Sequence, residues 1–151
     1  MDRVPAGIDL DSSLGYLLKQ AASALRSSMD AALRPLGLTV PQYACLELLA
    51  QRSGLSNSEL ARGAFVTRQS MNVLLQGLER DGLVTRPAEP VAGRALPAQL
   101  TPLGRERIAE ASVVVRAVEA RMSARLDADQ EVRLRELLGA CVAGLEASAS
   151  H

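Results

Sequence analysis

The sequence is poor in aromatic side chains, with two tyrosines, one phenylalanine and no tryptophan among 151 residues. Leucine, alanine and valine supply most of the apolar residues instead. This composition favours helix-on-helix packing over a β-sandwich. The length is sufficient for one domain with a substantial core, or for one domain with an appendage.

The sequence also lacks motifs that are typical of enzymes, membrane proteins and secreted proteins. The single histidine is the final residue, His151, and there are no paired carboxylates, glycine-rich phosphate loop or serine–histidine arrangement. We therefore predict no enzymatic activity, no metal site and no cofactor. No apolar run reaches membrane-spanning length, and the N-terminal residues lack the basic-then-apolar order of a signal peptide. We expect a cytoplasmic protein without membrane contacts.

Cysteine occurs only twice, at Cys45 and Cys141, which lie far apart and fit no metal-binding spacing. Both fall among apolar residues of predicted helices, so we expect two buried thiols in a reducing compartment. The alternative is a thiol-based redox sensor that uses one of them. Such a sensor needs an exposed thiolate with a lowered pKa, and neither cysteine has a basic neighbour in the sequence.

The formal net charge is zero, with 17 basic and 17 acidic residues, so the chain as a whole does not attract nucleic acid. Residues 54–107 are more basic, because they contain seven arginines and five acids, a local charge of +2. Any affinity for DNA must therefore depend on the placement of a few arginines.

Residues 56–82 have the pattern of a helix-turn-helix. Ser56 and Glu59 form a capping-box pattern that starts a short helix, and Gly63 and Ala64 are expected to end it. Thr67 can cap a second helix, which should stop at Asp81-Gly82. Its apolar positions recur at helical spacing and predict one buried face: Met71, Leu74, Leu75 and Leu78.

The opposite face of that second helix carries side chains that can bond base edges through paired hydrogen bonds. We predict DNA contacts from these residues: Arg68, Gln69, Asn72 and Gln76. Ser56, Thr67 and Ser70 are expected to cap helices and to lie where backbone N–H groups meet phosphates. Arg86, beyond the helix, is a candidate phosphate contact.

A β-hairpin should follow the two helices. Residues 83–86 and 95–100 have strand character, and Pro90 and Gly93 between them favour a turn, with Arg94 at the tip. The segment is thus typical of a winged helix-turn-helix. Pro97 is unusual in a strand because it lacks an N–H donor, and it is tolerable only at an open edge.

Long amphipathic helices are predicted on both sides of this segment. One covers about 12–33, a second and largely apolar helix covers about 41–52 after the cap Thr39, and a third follows Pro102. A last helix, capped by Asp127, covers about 128–145, and the tail beyond it is expected to be frayed. The terminal helices present more apolar surface than one small head can cover, so we expect a two-fold homodimer.

Three blocks of the sequence resemble the MarR family of bacterial transcriptional regulators. They are LRPLGLTVPQYACLELLA (33–50), LSNSELARGAFVTRQSMNVLLQGLERDGLVTR (55–86) and RALPAQLTPLG (94–104). The resemblance implies a homodimeric winged-helix protein that binds palindromic double-stranded DNA, usually as a repressor. Family members often release DNA when a small aromatic or phenolic ligand binds between the DNA-binding head and the dimer region.

The resemblance also implies roles for single residues. The helix from Arg68 would enter the major groove, and Arg94 matches the wing arginine that reaches the minor groove. The family's wing pattern is Asp-x-Arg followed by Leu-Thr, and here Ala92 replaces the acid. The redox-sensing branch carries a cysteine in the first helix, where this chain has Tyr16 and no thiol.

The ligand-binding candidates lie where the first, second and fifth helices should meet: Tyr16, Gln20, Tyr43, Glu47 and Arg107. The expected fold is mainly α with a small β-hairpin wing. We divide the chain into an arm and dimerisation helix (1–38), a winged helix-turn-helix domain (39–101) and C-terminal dimerisation helices (102–151). A different alternative is a helical dimer whose winged head docks protein instead of DNA.

Overall fold

The computed structural model describes residues 7–86 and 97–149. Within them lie six α-helices and a two-stranded antiparallel sheet, which confirms the predicted fold class. The elements in chain order are α1 (Leu14–Leu33), α2 (Val40–Gln51), α3 (Asn57–Gly63), α4 (Arg68–Arg80), β1 (Val84–Thr85), β2 (Gln99–Leu100), α5 (Pro102–Met122) and α6 (Ala128–Ala149). Short 3-10 turns at Leu10–Ser12 and Arg34–Leu36 flank α1.

Side-chain caps set where these helices begin, because each cap satisfies a backbone N–H that has no partner inside the helix. Thr39 and Ser56 each form a complete capping box, with Gln42 and Glu59 respectively. Asp127 accepts a hydrogen bond from the backbone N–H of Gln130 at 2.8 Å. The predicted caps are therefore confirmed, and so are the helix starts within one or two residues.

The chain divides into two compact units, Met1–Val115 and Arg116–His151. The first unit has a core of apolar side chains that α1 to α5 and both strands supply. Its fully buried members include Leu33, Leu46, Leu60, Met71, Leu75 and Leu78. Burial of each such side chain contributes roughly 1.5–3 kcal/mol. The predicted inner face of α4 is confirmed by Met71, Leu75 and Leu78.

The turn between α3 and α4 confirms the prediction that Gly63 and Ala64 would end the helix, because Gly63 is the last residue of α3 and Ala64 is its C-cap. A Cβ at Gly63 would lie 2.8 Å from Cδ1 of Leu48. The glycine therefore lets α3 approach α2 closely. The residue that reverses the chain is Phe65, whose backbone is left-handed with φ +59°.

The two strands are shorter than the sequence predicted. They pair antiparallel with Val84 opposite Leu100, and Pro97 precedes β2 and so occupies no ladder position. Thr101 joins the hairpin base to α5, because its hydroxyl donates to the carbonyl of Gly82 and accepts from the backbone N–H of Gly104. The predicted hairpin tip, including Ala92 and Arg94, lies outside the described residues.

The last helix corrects two predictions. It continues to Ala149, so part of the tail expected to be frayed is helical. Every described side chain from Asp127 to Ala147 is exposed, including the thiol of Cys141. The prediction of two buried thiols is therefore right for Cys45 and wrong for Cys141, because α6 has no cover within the single chain.

Candidate nucleic-acid interface

The outer face of α4 is polar and open to solvent. Arg68, Gln69, Asn72 and Gln76 are all exposed, while the opposite face fills the core. Val73 is also exposed on this helix and was not singled out from the sequence. An amphipathic helix with guanidinium and amide groups outward has the chemistry that pairs with base edges in the major groove.

A hydrogen bond between side chains connects α3 to this face. Nδ2 of Asn57 donates to Oδ1 of Asn72 at 2.6 Å, across 15 residues of sequence. Asn57 is the first residue of α3, so the bond fixes the amide of Asn72 from the neighbouring helix. No local sequence pattern predicts this pair, because it depends on how α3 and α4 pack.

The three hydroxyl residues predicted near phosphates all act at helix starts. Ser56 accepts from the backbone N–H of Glu59, and Thr67 accepts from the backbone N–H of Ser70 and donates to its hydroxyl. Hydrogen bonds from the backbone N–H and then the hydroxyl of Ser56 lower the pKa of Glu59. The carboxylate therefore keeps its cap at neutral pH and loses it as the pH falls through that lowered value.

Arg86, a predicted phosphate contact, has a partner within the chain. Its Nε lies 2.9 Å from Oε1 of Glu79, at the end of α4. The Arg86 side chain is only 25% exposed. This ion pair fixes the start of the wing to α4, a role that the sequence pattern did not suggest.

The ligand candidates Tyr43 and Glu47 lie on α2 and are half-buried. Tyr43 packs against the core, whereas Glu47 accepts hydrogen bonds from Nε2 of Gln51 at 2.6 Å and from the hydroxyl of Ser112 at 3.1 Å. Because Ser112 lies on α5, the carboxylate of Glu47 links α2 to α5. The expectation that Glu47 faces α5 is supported by this contact.

The other three candidates have different environments. Tyr16 and Gln20 are exposed on α1. Arg107 is half-buried on α5, and its guanidinium donates to the carbonyl oxygen of Leu36 at 2.7 Å. Arg107 therefore supports the turn after α1, which is a structural role that sequence reasoning missed.

Residues 7–86 and 97–149 contain no cluster of histidine, cysteine, aspartate or glutamate suited to a metal ion. In the same ranges, no helix is both long enough and apolar enough to cross a membrane. Burial raises the pKa of the Cys45 thiol to about 12, so this thiol stays protonated near neutral pH.

Known proteins resemble the chain along most of its length. The sequence model of the MarR family matches residues 36–95. The HTH-type transcriptional repressor Rv2887 of Mycobacterium tuberculosis is 49% identical over 132 residues, which cover 87% of this chain and 95% of that protein. The chain belongs to the MarR family. It is therefore a winged-helix, DNA-binding transcription regulator.

Solved structures of MarR proteins agree with this assignment. The structure of Rv2887 in complex with DNA superimposes with a TM-score of 0.73 at 46% identity, covering 87% of this chain and 98% of that one. The structure of Rv2887 in complex with salicylic acid has a TM-score of 0.72 at 49% identity, covering 87% and 97%. The winged fold and its exposed α4 are thus those of a family whose members have been solved with DNA.

Proposed function

We propose that this MarR protein is a homodimeric repressor that binds a palindromic operator in double-stranded DNA through α4. The observation that carries the proposal is the division of α4 into a buried apolar face and an exposed face with Arg68, Gln69 and Asn72. In a helix-turn-helix, the N-terminal residues of the second helix contact base edges. These three side chains occupy that end of α4.

Uncovered apolar side chains support the dimer. On α1, Leu14, Leu17 and Leu18 are exposed, and on α6 the exposed fractions reach 76% at Leu145. Exposed apolar patches of this kind mark protein–protein contacts. Residues 1–38 and 102–151 would supply the dimer contacts and residues 39–101 the DNA-binding domain. A two-fold dimer would space its two α4 helices about 34 Å apart, one turn of DNA.

A mobility-shift assay with DNA from upstream of the protein's own gene tests the proposal. We expect a complex that resists excess unrelated DNA, and we expect Arg68→Ala and Gln69→Ala to weaken it. Arg80→Ala, which removes an exposed arginine at the opposite end of α4, is the matched control and should bind as wild type. A protein-docking head would bind all DNA sequences equally weakly, and that result would overturn the proposal.

We also propose that an aromatic carboxylic acid relieves repression. The support is the Rv2887 structure with salicylic acid together with the 49% identity to that chain. Among the five candidates, Arg107 is the only cation, and a guanidinium is the preferred partner of a carboxylate. Tyr16, Gln20, Tyr43 and Glu47 are the polar candidates around it in the proposal.

The effector proposal is tested by titrating salicylate into the protein–operator complex. Wild type should release DNA and show a raised melting temperature with the ligand. Arg107→Gln should lose both responses, whereas Arg105→Gln, which removes a charge from the exposed side of α5, should keep them. Equal responses of the two variants would remove Arg107 from the ligand site.

A further inference from the structure

Phe65 combines a strained backbone with a fully accessible aromatic ring. Its φ is +59°, and among the described residues it is the only one other than glycine with a positive φ. Its side chain is 94% exposed. Bulky L-residues rarely adopt left-handed backbone conformations, because Cβ crowds the neighbouring carbonyl oxygen.

The hydrogen bonds of the turn explain the strain. The backbone N–H of Val66 donates to the carbonyl of Ala61, and that of Phe65 donates to the carbonyl of Arg62. This is the Schellman pattern that ends a helix, and Phe65 occupies its left-handed position, where glycine is usual. The turn returns Val66 to the core and places Thr67 as the cap of α4.

Folding therefore gives no reason for a phenylalanine at this position. Glycine would adopt the same backbone without strain, and the exposed ring gains no burial in the single chain. Strained residues that the surrounding structure holds in place are often functional. We therefore infer that the ring makes its favourable contacts with another molecule that binds the folded chain.

The location of Phe65 indicates what that contact is. It lies two residues before the cap of α4 and three before Arg68, at the end of the helix that carries the proposed base contacts. Arg62 and Arg68, on either side of it in the sequence, are exposed cations. An exposed aromatic residue between two exposed arginines in the sequence suits the edge of a DNA groove, which offers apolar base atoms between phosphates.

We propose that the Phe65 ring packs against the C5-methyl group of a thymine at the edge of the major groove. The thymine methyl is the main apolar group that this groove displays, and phenylalanine is one of the side chains that contact it. This proposal rests on operator binding through α4, as proposed above. It adds a position of thymine specificity that the polar side chains of α4 do not supply.

Two variants separate the role in DNA binding from the role in folding. Phe65→Gly removes both the ring and the backbone strain. Phe65→Asn also removes the ring and introduces a residue that tolerates the left-handed backbone. We expect both to melt at or above the wild-type temperature and yet to bind the operator roughly tenfold more weakly, because buried aromatic area is lost. Unchanged operator affinity in both variants would overturn the proposal and would leave Phe65 to another kind of partner.

A change in the DNA identifies the thymine. Each operator thymine is replaced in turn by deoxyuridine, which lacks only the methyl group. At one position per half-site, wild type should lose about fourfold in affinity, the value expected for one buried methyl group. Phe65→Gly should be insensitive to the same replacement. A replacement that weakens both proteins equally, at every position, would overturn the assignment.

Arg68→Ala keeps the two proposals distinguishable. If neither wild type nor Arg68→Ala prefers the operator over unrelated DNA, operator binding through α4 fails and the role of Phe65 fails with it. If Arg68→Ala loses operator binding but Phe65→Gly does not, only the role of Phe65 is wrong.

Discussion

The side chains of Asn57 and Asn72 form a 2.6 Å hydrogen bond that joins the first residue of α3 to the exposed face of α4. Oδ1 of Asn72 accepts this bond, so the N–H groups on Nδ2 of Asn72 are the groups that can donate to other partners. In the proposed DNA complex, α4 would therefore present Asn72 mainly as a donor. Donors pair with acceptors on base edges, such as O6 and N7 of guanine or N7 of adenine.

Replacing Asn57 should change which base Asn72 prefers. In Asn57→Asp, the new carboxylate can only accept, so the Asn72 amide should turn over and present Oδ1 outward. We expect the preference at one operator position to shift toward adenine N6 or cytosine N4, by about 1–3 kcal/mol. Affinities for an operator set with single base-pair changes would measure the shift.

The matched control for this change is Ser58→Asp. It adds the same negative charge to α3 one residue later and leaves the Asn57–Asn72 bond in place. It should weaken binding to all sequences alike. If Asn57→Asp also weakens binding to all sequences equally, the Asn57–Asn72 hydrogen bond does not orient Asn72 in the DNA complex.

Arg94 should contribute one cationic contact to the duplex. The resemblance to MarR proteins implies that Arg94 is the wing arginine, and Ala92 occupies the sequence position of that family's acidic residue. We expect Arg94→Ala to weaken operator binding and to flatten the slope of log K against log salt by about 0.9. Arg80→Ala serves again as a control, and an unchanged slope for Arg94→Ala would remove the wing from the interface.

Local patterns in the sequence predicted the elements well, because caps and apolar spacing act within a few residues. Thr39 and Thr67 cap the predicted helices, and Met71, Leu75 and Leu78 form the predicted inner face. The winged fold followed from these signals together with the family resemblance.

Interactions across the fold were not predictable from the sequence in the same way. The Arg86–Glu79 ion pair and the Arg107–Leu36 hydrogen bond join separate elements, so no short-range spacing reveals them. The small residues Gly63 and Ala64 predicted the end of α3, but not that the next residue, Phe65, would have a left-handed backbone. The close packing of Gly63 on α2 was not predictable either, because it depends on Leu48 of another helix.

The two cysteines should differ in their reactivity. Burial raises the pKa of Cys45 to about 12, so its thiol resists alkylation in the native protein. Cys141 is exposed in the single chain. Cys141 shares the α6 face of Leu138 and Leu145, which the proposed dimer would bury. In protein kept monomeric by Leu138→Glu, we expect iodoacetamide at pH 8 to modify Cys141 before Cys45, and Cys45 only after unfolding, as peptide mass spectrometry would show. Fast native modification of Cys45 would contradict its burial and would revive the redox-sensor alternative.

The raised pKa of Cys45 also implies a pH dependence of stability. A pKa raised from 9.0 to about 12 means that the folded state holds its proton while the unfolded thiol ionises. The stabilising contribution of the Cys45 thiol to the free energy of unfolding is therefore complete below pH 9 and is lost as the pH rises toward 12. We expect the difference in unfolding free energy between wild type and Cys45→Ala to shrink between pH 8 and 11, as urea denaturation would measure. A constant difference would contradict this linkage.

The apolar stripe of α6 should hold the proposed dimer together. Leu134, Leu138 and Leu145 share one face of the helix, and all three are exposed in the single chain. Leu138→Glu would place a charge in the interface, where burial without a partner is strongly unfavourable. We expect this variant to sediment as a monomer at micromolar concentration, with its helical content retained in circular dichroism.

The opposite face of α6 offers the control for this variant. Ala143→Glu adds the same charge about half a helical turn away from the stripe, since successive residues are separated by about 100°. It should remain dimeric and should bind the operator as wild type does. Leu138→Glu should also lose operator affinity, because one subunit reaches only one half-site and the benefit of linking two contacts disappears. If both variants sediment alike, the α6 stripe is not the dimer interface, and the exposed apolar face of α1 becomes the surface to test.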